Sequence, residues 1–208
     1  MMLSLAQRNS LEQATQTYTA HLPQALAYLE GRGITEQTAR TYRLGYVAPT
    51  QALLGDEQFS GRLAIPFLAT GGVVSMRFRS IDGREPKYLS RQGDQTTLFS
   101  VTSLMEDVKQ MVITEGEVDA MTLNQCGIPS VGVTGAKAWK SHYRLLFQDY
   151  DRVLIACDGD QAGREFGKQV AEYINGAIPV VMPDGEDVNS VYVKNGEGKL
   201  RELLRLGE

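Results

Sequence analysis

Apolar positions along the chain follow two rhythms. Between His21 and Gly33, Leu22, Ala25, Leu26 and Leu29 recur at the three- and four-residue spacing of a helix face. Gly31 and Gly33 can end that helix, and Thr35 can cap a short second one. Beyond Gly61 the period drops to two. Residues 62–68 and 73–79 read as a hairpin about Gly71-Gly72, and a turn at Asp82-Gly83 leads to a third strand. In the second strand Met76 and Phe78 alternate with Arg77 and Arg79. The apolar pair is expected to enter the core and the two arginines to leave from the opposite face. Residues 50–61 and 91–97 read as loops.

From about residue 106 strand and helix patterns alternate. The strands are KQMVITEG, ending near Glu115, then IPSVGVTG, RVLIACDGD and IPVVMPDGED. Between them lie the helical stretches VDAMTLNQCG, AWKSHYRLLFQDY and AGREFGKQVAEYING, and a last one runs from about 188 to 206. Short apolar strands separated by helices of roughly 10–15 residues predict a parallel sheet covered on both faces. The expected class is therefore α/β: an α+β part over residues 1–105, then a Rossmann-like part over 106–208 with a mainly parallel four-stranded sheet.

Composition narrows the chemistry. The chain has 208 residues, 42% of them hydrophobic, enough for one sizeable core or two small ones. Cys126 and Cys157 stand far apart and there are only two histidines, so neither a disulfide framework nor a structural zinc site is expected. No signal peptide and no apolar run of about 18 residues is read, so the expected setting is cytoplasmic, away from any membrane. Charge is uneven. Residues 1–105 carry 10 Lys/Arg against 8 Asp/Glu, and residues 106–208 carry 11 against 17. The basic excess concentrates in Arg62, Arg77, Arg79, Arg84, Lys87 and Arg91, a stripe suited to a polyanion.

The acids collect at predicted strand ends, where ligands of open α/β sheets bind. Glu115 ends one strand, Asp158 and Asp160 end another, and Asp187 follows the last. Asp119 comes about one helical turn after Glu115. Two carboxylates on one Asp-Gly-Asp turn repel each other unless a hard cation such as Mg²⁺ binds them together with substrate phosphates. That arrangement suits phosphoryl or nucleotidyl transfer. The Asp-Gly-Asp is not an EF-hand, because its twelfth position is Gln169. Neither a P-loop nor a Gly-x-Gly-x-x-Gly turn is present.

Glu115-Gly116, Asp158-Gly159-Asp160 and Pro183-Asp184-Gly185-Glu186-Asp187 together resemble the signature of the Toprim domain. ITEGEVDAMTLNQCGIPSVGVTGA and ACDGDQAGREFG are similar to the versions found in bacterial-type, DnaG-like primases. Upstream, ALAYLEGRGITEQTARTYRLGYVAP, RLAIPF and PKYLS resemble the N-terminal subdomain of that family's RNA-polymerase core. The likeness covers most of residues 22–195, in the family's order. It implies that Glu115 is at the reaction centre, ligating metal or assisting proton transfer from the primer 3′-hydroxyl. It implies that Glu115, Asp158, Asp160 and Asp187 hold Mg²⁺ or Mn²⁺, as two ions, with Asp119 in support. Arg79 and Lys87 match basic positions near template or incoming NTP, with Arg77, Tyr88 and Arg91 as neighbours.

Asn189 departs from the pattern, standing where the family has a further Asp, so one metal contact is expected to weaken or run through water. The family's zinc ribbon, helical third subdomain and helicase-binding domain are not expected in this protein. The expected protein is thus a minimal core, compatible with a phage enzyme in a bacterial or phage-infected cell. A replicative helicase or a separate zinc-bearing protein would complete it. The favoured reading is a DNA primase, a nucleotidyltransferase that builds short RNA primers from NTPs on single-stranded DNA. A Toprim nuclease would use the same acids on water, but has no need of the primase-like first part. A non-catalytic single-stranded-DNA-binding accessory protein fits Asn189 and the missing zinc module but not the four intact acids.

Overall fold

In the computed structural model of the protein, which describes residues 3–94, 97–134 and 138–206, Ser4 opens a helix that the apolar spacing did not announce. Its Oγ accepts the Gln7 N–H at 3.2 Å, and Gln7 Oε1 accepts the Ser4 N–H at 2.8 Å, a reciprocal cap. This helix, α1 (Leu5–Thr19), is polar except for one face, and buries Leu11, Ala14, Thr15 and Tyr18. Its sparse apolar content hides it from a periodicity search.

The chain divides into two units, Met1–Thr96 and Thr97–Glu208. In the first, a 3₁₀ turn (Leu22–Ala25) precedes α2 (Leu26–Gly31), so the predicted helix is split, with Pro23 in the turn. The short α3 (Glu36–Thr41) is capped by Thr35, whose Oγ1 accepts the Thr38 N–H at 3.1 Å. A four-stranded antiparallel sheet follows in chain order: β1 (Gly45–Tyr46), β2 (Arg62–Ala69), β3 (Gly72–Ser80) and β4 (Tyr88–Ser90). The hairpin closes with Ala69 opposite Gly72, one residue earlier than Gly71-Gly72 would put it. Met76 and Phe78 join Leu11, Ala14, Tyr18 and Phe59 in one core, and the Phe59 and Phe78 rings stack at 3.8 Å. Phe59 belongs to a 3₁₀ turn (Glu57–Phe59) inside the segment expected to be loop.

The second unit holds a five-stranded sheet, one strand more than expected. Its order is β5 (Leu98–Phe99), β7 (Ser130–Val133), β6 (Gln110–Thr114), β8 (Arg152–Cys157), β9 (Ile178–Val181). All neighbours are parallel except β5, which runs antiparallel to β7. That pairing draws residues 97–105 into the second unit, so the division falls earlier than 105/106. The predicted second strand ends at Val133, and Gly135, its last expected residue, lies outside the described residues. Helices α4 (Glu117–Gln125) and α5 (Gln161–Tyr173) follow β6 and β8. The helix expected over 138–150 is a 3₁₀ turn at Ser141–Phe147. The last helical stretch breaks into α6 (Val188–Asn195) and α7 (Glu197–Leu203) at Gly196, whose φ of 79° lies in the region glycine favours.

Alternation along β6 and β8 sorts side chains into two cores. Met111, Ile113, Val153 and Ile155 pack with Trp139, Phe147, Phe166 and Val170 on one face. Val112, Leu154 and Ala156 pack with Leu123, Val188, Val191 and Leu200 on the other. Each fully buried Val, Leu, Ile, Phe or Met among them contributes about 1.5–3 kcal/mol. The chain leaves β6 for β7 on one side and returns to place β8 on the other. The strand order therefore reverses at the carboxyl ends of β6 and β8, the position where open α/β sheets bind ligands. No helix among the described residues is long and apolar enough to cross a membrane.

Candidate catalytic site

Glu115 directly follows β6, and its Oε1 accepts the Asp158 N–H at 2.9 Å, joining the two strand ends at the reversal point. Asp160 caps α5, its Oδ1 accepting the Gly163 N–H at 2.8 Å. Gly163 has to be glycine. A Cβ there would sit 2.3 Å from the Asp158 carbonyl oxygen and 2.8 Å from Glu115 Oε1. Gly159 is equally constrained, because a Cβ would lie 1.9 Å from the Pro183 carbonyl oxygen. This close approach lets the Gly159 N–H donate to the Glu186 carbonyl at 2.7 Å and the Gly185 N–H to the Gly159 carbonyl at 2.9 Å. The Asp-Gly-Asp turn and the 183–187 loop are thereby held together.

Asp187 caps α6, accepting the Ser190 N–H at 2.6 Å. Asp119, in the first turn of α4, accepts the Asn189 N–H at 3.0 Å. Glu115, Asp160, Asp187 and Asp119 thus each have one carboxylate oxygen on a backbone N–H, three of these at helix N-termini whose dipoles favour negative charge. Burial pushes the Glu115 carboxyl above the usual carboxylate range; Asp160 and Asp119 push the same way, and the Asp158 N–H opposes them. The acids therefore act on one another across the crevice.

Among the described residues no three His, Cys, Asp or Glu groups converge tightly enough to cage a metal unaided. The donor set nonetheless fits Mg²⁺ or Mn²⁺. It is all oxygen, its charges repel, and such ions keep waters and complete their shell with substrate phosphates rather than protein alone. Cys157, the nearby soft donor, is buried with its thiol pushed up to about 12, chiefly by burial, so it remains protonated.

Asn189 does not occupy the position of a weakened ligand. It is 1% exposed and its side-chain amide donates to Thr122 Oγ1 at 2.9 Å, while its own N–H holds Asp119. It joins α6 to α4, a role that only the long-range pairing reveals.

In the first unit the basic stripe divides sharply. Arg62 is 3% exposed and donates to the Pro86 carbonyl at 2.8 Å. Arg84 pairs with Asp82 at 2.7 Å and donates to the Ser60 carbonyl. Arg91 grips Asp56 with both Nε, at 2.8 Å, and Nη2, and the Tyr18 hydroxyl donates to the same carboxylate at 2.5 Å. Arg91 thus braces the loops around 56 and 91 and is not presented to a phosphate, a correction to its expected role. Arg79 is 4% exposed, with Nε donating to the Tyr28 hydroxyl at 2.6 Å and Nη1 to the Tyr88 hydroxyl. Alternation does set it opposite Met76 and Phe78, but the tyrosines cover it. Of the six cations, Lys87 and Arg84 are exposed, the latter held by Asp82, while Arg77 is half-buried with its guanidinium 4.3 Å from the Tyr88 ring centre.

A Toprim-like family model matches residues 112–192, the span from β6 into α6. The Gene 57 protein of Mycobacterium phage D29 is 43% identical over 151 residues, which cover 70% of this chain and 99% of that protein. A DNA primase of Pseudomonas aeruginosa is 25% identical, covering 86% of this chain and 34% of the primase. The chain belongs to the DnaG-like primase family. Its fold matches a solved DnaG primase catalytic domain bound to single-stranded DNA with a TM-score of 0.73 at 23% identity, covering 97% of this chain and 82% of that one. The DnaG-like chain spans about a third of the bacterial primase's length but nearly all of the phage protein's. Tyr28, Asp56 and Thr122, which hold Arg79, Arg91 and Asn189, escaped sequence reasoning. Their partners lie 51, 35 and 67 residues away, and no local pattern marks them.

Proposed function

We propose that the chain is a primer-synthesising core that joins ribonucleotides on single-stranded DNA by metal-dependent nucleotidyl transfer. The observation that carries this reading is the set of backbone-anchored acids at the strand-order reversal, with Glu115 linked to Asp158 and its carboxyl raised by burial and by Asp160 and Asp119. Glu115, Asp158, Asp160 and Asp187 would hold two Mg²⁺ or Mn²⁺ ions, and Asp119 would support them. Bound there, the cations supply neutralisation for the charge on the transferring and departing phosphates. Glu115, with Oε1 engaged by the Asp158 N–H, would have Oε2 to take the proton of the primer 3′-hydroxyl, and the upward push that burial gives its carboxyl favours that uptake. Asp160 and Asp187, fixed by their caps, keep the acids in place without reorganisation as charge develops. Lys87 and Arg77 would contact template or NTP phosphates, and Tyr88 would stack on a base. A replicative helicase or a zinc-bearing partner would act beside it in the cytoplasm of a bacterial or phage-infected cell.

The test is synthesis from labelled NTPs on mixed-sequence single-stranded DNA, with Mg²⁺ and then Mn²⁺, for wild type beside Asp158→Ala. Short labelled RNA from the wild type alone is expected. A second arm supplies a preformed primer terminus, which an intact core should extend even where initiation needs a partner. Shortening of labelled DNA without NTPs, or no product in both arms with DNA binding intact, would overturn the reading.

A further inference from the structure

Tyr28 lies in α2, 51 residues before Arg79, yet its hydroxyl accepts the Arg79 Nε–H at 2.6 Å while the Tyr88 hydroxyl accepts from Nη1. Burial draws the Arg79 guanidinium down, but the two phenols outweigh it and hold it above its ordinary value, so it stays charged. At 4% exposure and engaged at two of its nitrogens, it is badly disposed to meet a phosphate itself. It is well disposed to fix two rings. Its guanidinium carbon stands 5.1 Å from the Tyr88 ring centre and 5.9 Å from that of Tyr28. Arg77 lies over Tyr88 at 4.3 Å, and Arg32 over Tyr28 at 6.0 Å. The result is an alternating row, Arg32, Tyr28, Arg79, Tyr88, Arg77, with its buried cation in the middle.

We propose that Tyr28 is a positioning residue for the single-stranded template: acting through Arg79, it fixes the Tyr88 ring, and with it Arg77, as a preformed platform for a base and its phosphate. This rests on the template path described above and adds the group that holds that path rigid. Without the Tyr28 hydroxyl, Arg79 loses one of its two phenols and the Tyr88 ring must be ordered anew by each strand that binds, which weakens affinity without removing a charge.

The test is binding of a fluorescent single-stranded oligonucleotide by the full chain at several salt concentrations. Tyr28→Phe keeps the ring and its packing and removes only the oxygen. Its affinity should fall about three- to tenfold, with the salt slope unchanged because no cation is lost. In a Tyr88→Ala background the same change should have no further effect, since Tyr28 acts through that ring. Wild-type affinity for Tyr28→Phe overturns the proposal. So does an effect that adds in full to Tyr88→Ala, which would mean a general loosening of the fold, or a slope lowered by about 0.7, which would put Arg79 on a phosphate. If Arg77→Ala and Tyr88→Ala both bind like wild type, the template path itself falls, and that result comes from variants in which Tyr28 is untouched.

Discussion

The acidic rim of the second unit and the basic face of the first are built by opposite means. At the rim the chain's own backbone does the holding. Asp160 and Asp187 each cap the helix that follows them, three residues away, and Glu115 rests on the N–H of Asp158. On the basic face, side chains hold side chains across long stretches of sequence: Arg79 to Tyr28, Arg91 to Asp56, Tyr18 to Asp56. A rim fixed through backbone N–H groups, two of them in local helix caps, can lose a charge and keep its shape. A face fixed by mutual side-chain pairing loses its shape with any one member.

The strongest way to break this contrast is to separate charge from structure at the rim. Asp160→Asn keeps an oxygen for the Gly163 N–H and so keeps the cap. Primer synthesis is expected to fall about a thousandfold, roughly 4 kcal/mol of transition-state stabilisation, while the urea midpoint moves little. A parallel collapse of stability would show that the rim is not locally held.

The same operation on the basic side should do the reverse. Asp56→Ala strips the Arg91 guanidinium and the Tyr18 hydroxyl of their shared partner, and Asp56 and Tyr18 are almost fully buried. Breaking such a pair leaves an uncompensated charge and costs about 3 kcal/mol, discounted for the part of Arg91 that reaches solvent. Equilibrium urea unfolding reads this directly, and a change below about 1 kcal/mol would mean that the network is not what braces the loops.

This difference also decides what the sequence makes visible. The acids were legible because their placement is local: apolar strand, carboxylate, glycine, helix. The parallel sheet was legible for the same reason, through short apolar runs alternating with helices. Residues whose roles are set across the fold were not. Nothing near Arg91 announces Asp56, and nothing near Asn189 announces Thr122. Alternation along β3 put Arg79 opposite the core, yet the tyrosines of α2 and β4 cover it. Helix α1 was missed because its buried face carries only Leu11, Ala14, Thr15 and Tyr18 among polar neighbours, and β5 because two residues make no pattern.

A smaller effect is expected at Lys87, an exposed cation of the stripe. Lys87→Ala should weaken single-stranded DNA binding a few-fold and reduce the slope of log affinity against log salt by about 0.7, the loss of one phosphate contact to a single strand. Stability should stay within about 0.5 kcal/mol of wild type. An unchanged slope, measured by fluorescence titration, would remove Lys87 from the phosphate path.

A finer distinction, between one acid of each unit, is the sign of its response to pH. Glu115 has its folded-state carboxyl raised, first by burial and then by Asp160 and Asp119. The folded protein therefore holds that proton more tightly than the unfolded chain, so Glu115 costs stability as pH rises from the unfolded value of about 4.3 through its own folded pKa. Glu12 is the opposite case. The Arg43 guanidinium hydrogen-bonded to it, at 2.5 Å from Oε1, holds its carboxyl low, and its contribution is present above the unfolded value and lost as pH falls. In chelator, without divalent ions, Glu115→Gln should therefore gain stability over wild type progressively as pH rises above about 4.3, then level off. Glu12→Gln should lose stability relative to wild type as pH rises towards about 4.3 and level off above it, and by less, because its pair with Arg43 is partly open to solvent. Urea midpoints taken between acid and neutral pH distinguish the two slopes. Slopes of the same sign would mean that the crevice acids are not crowded by their own charge, and would remove the electrostatic argument for a cation among them.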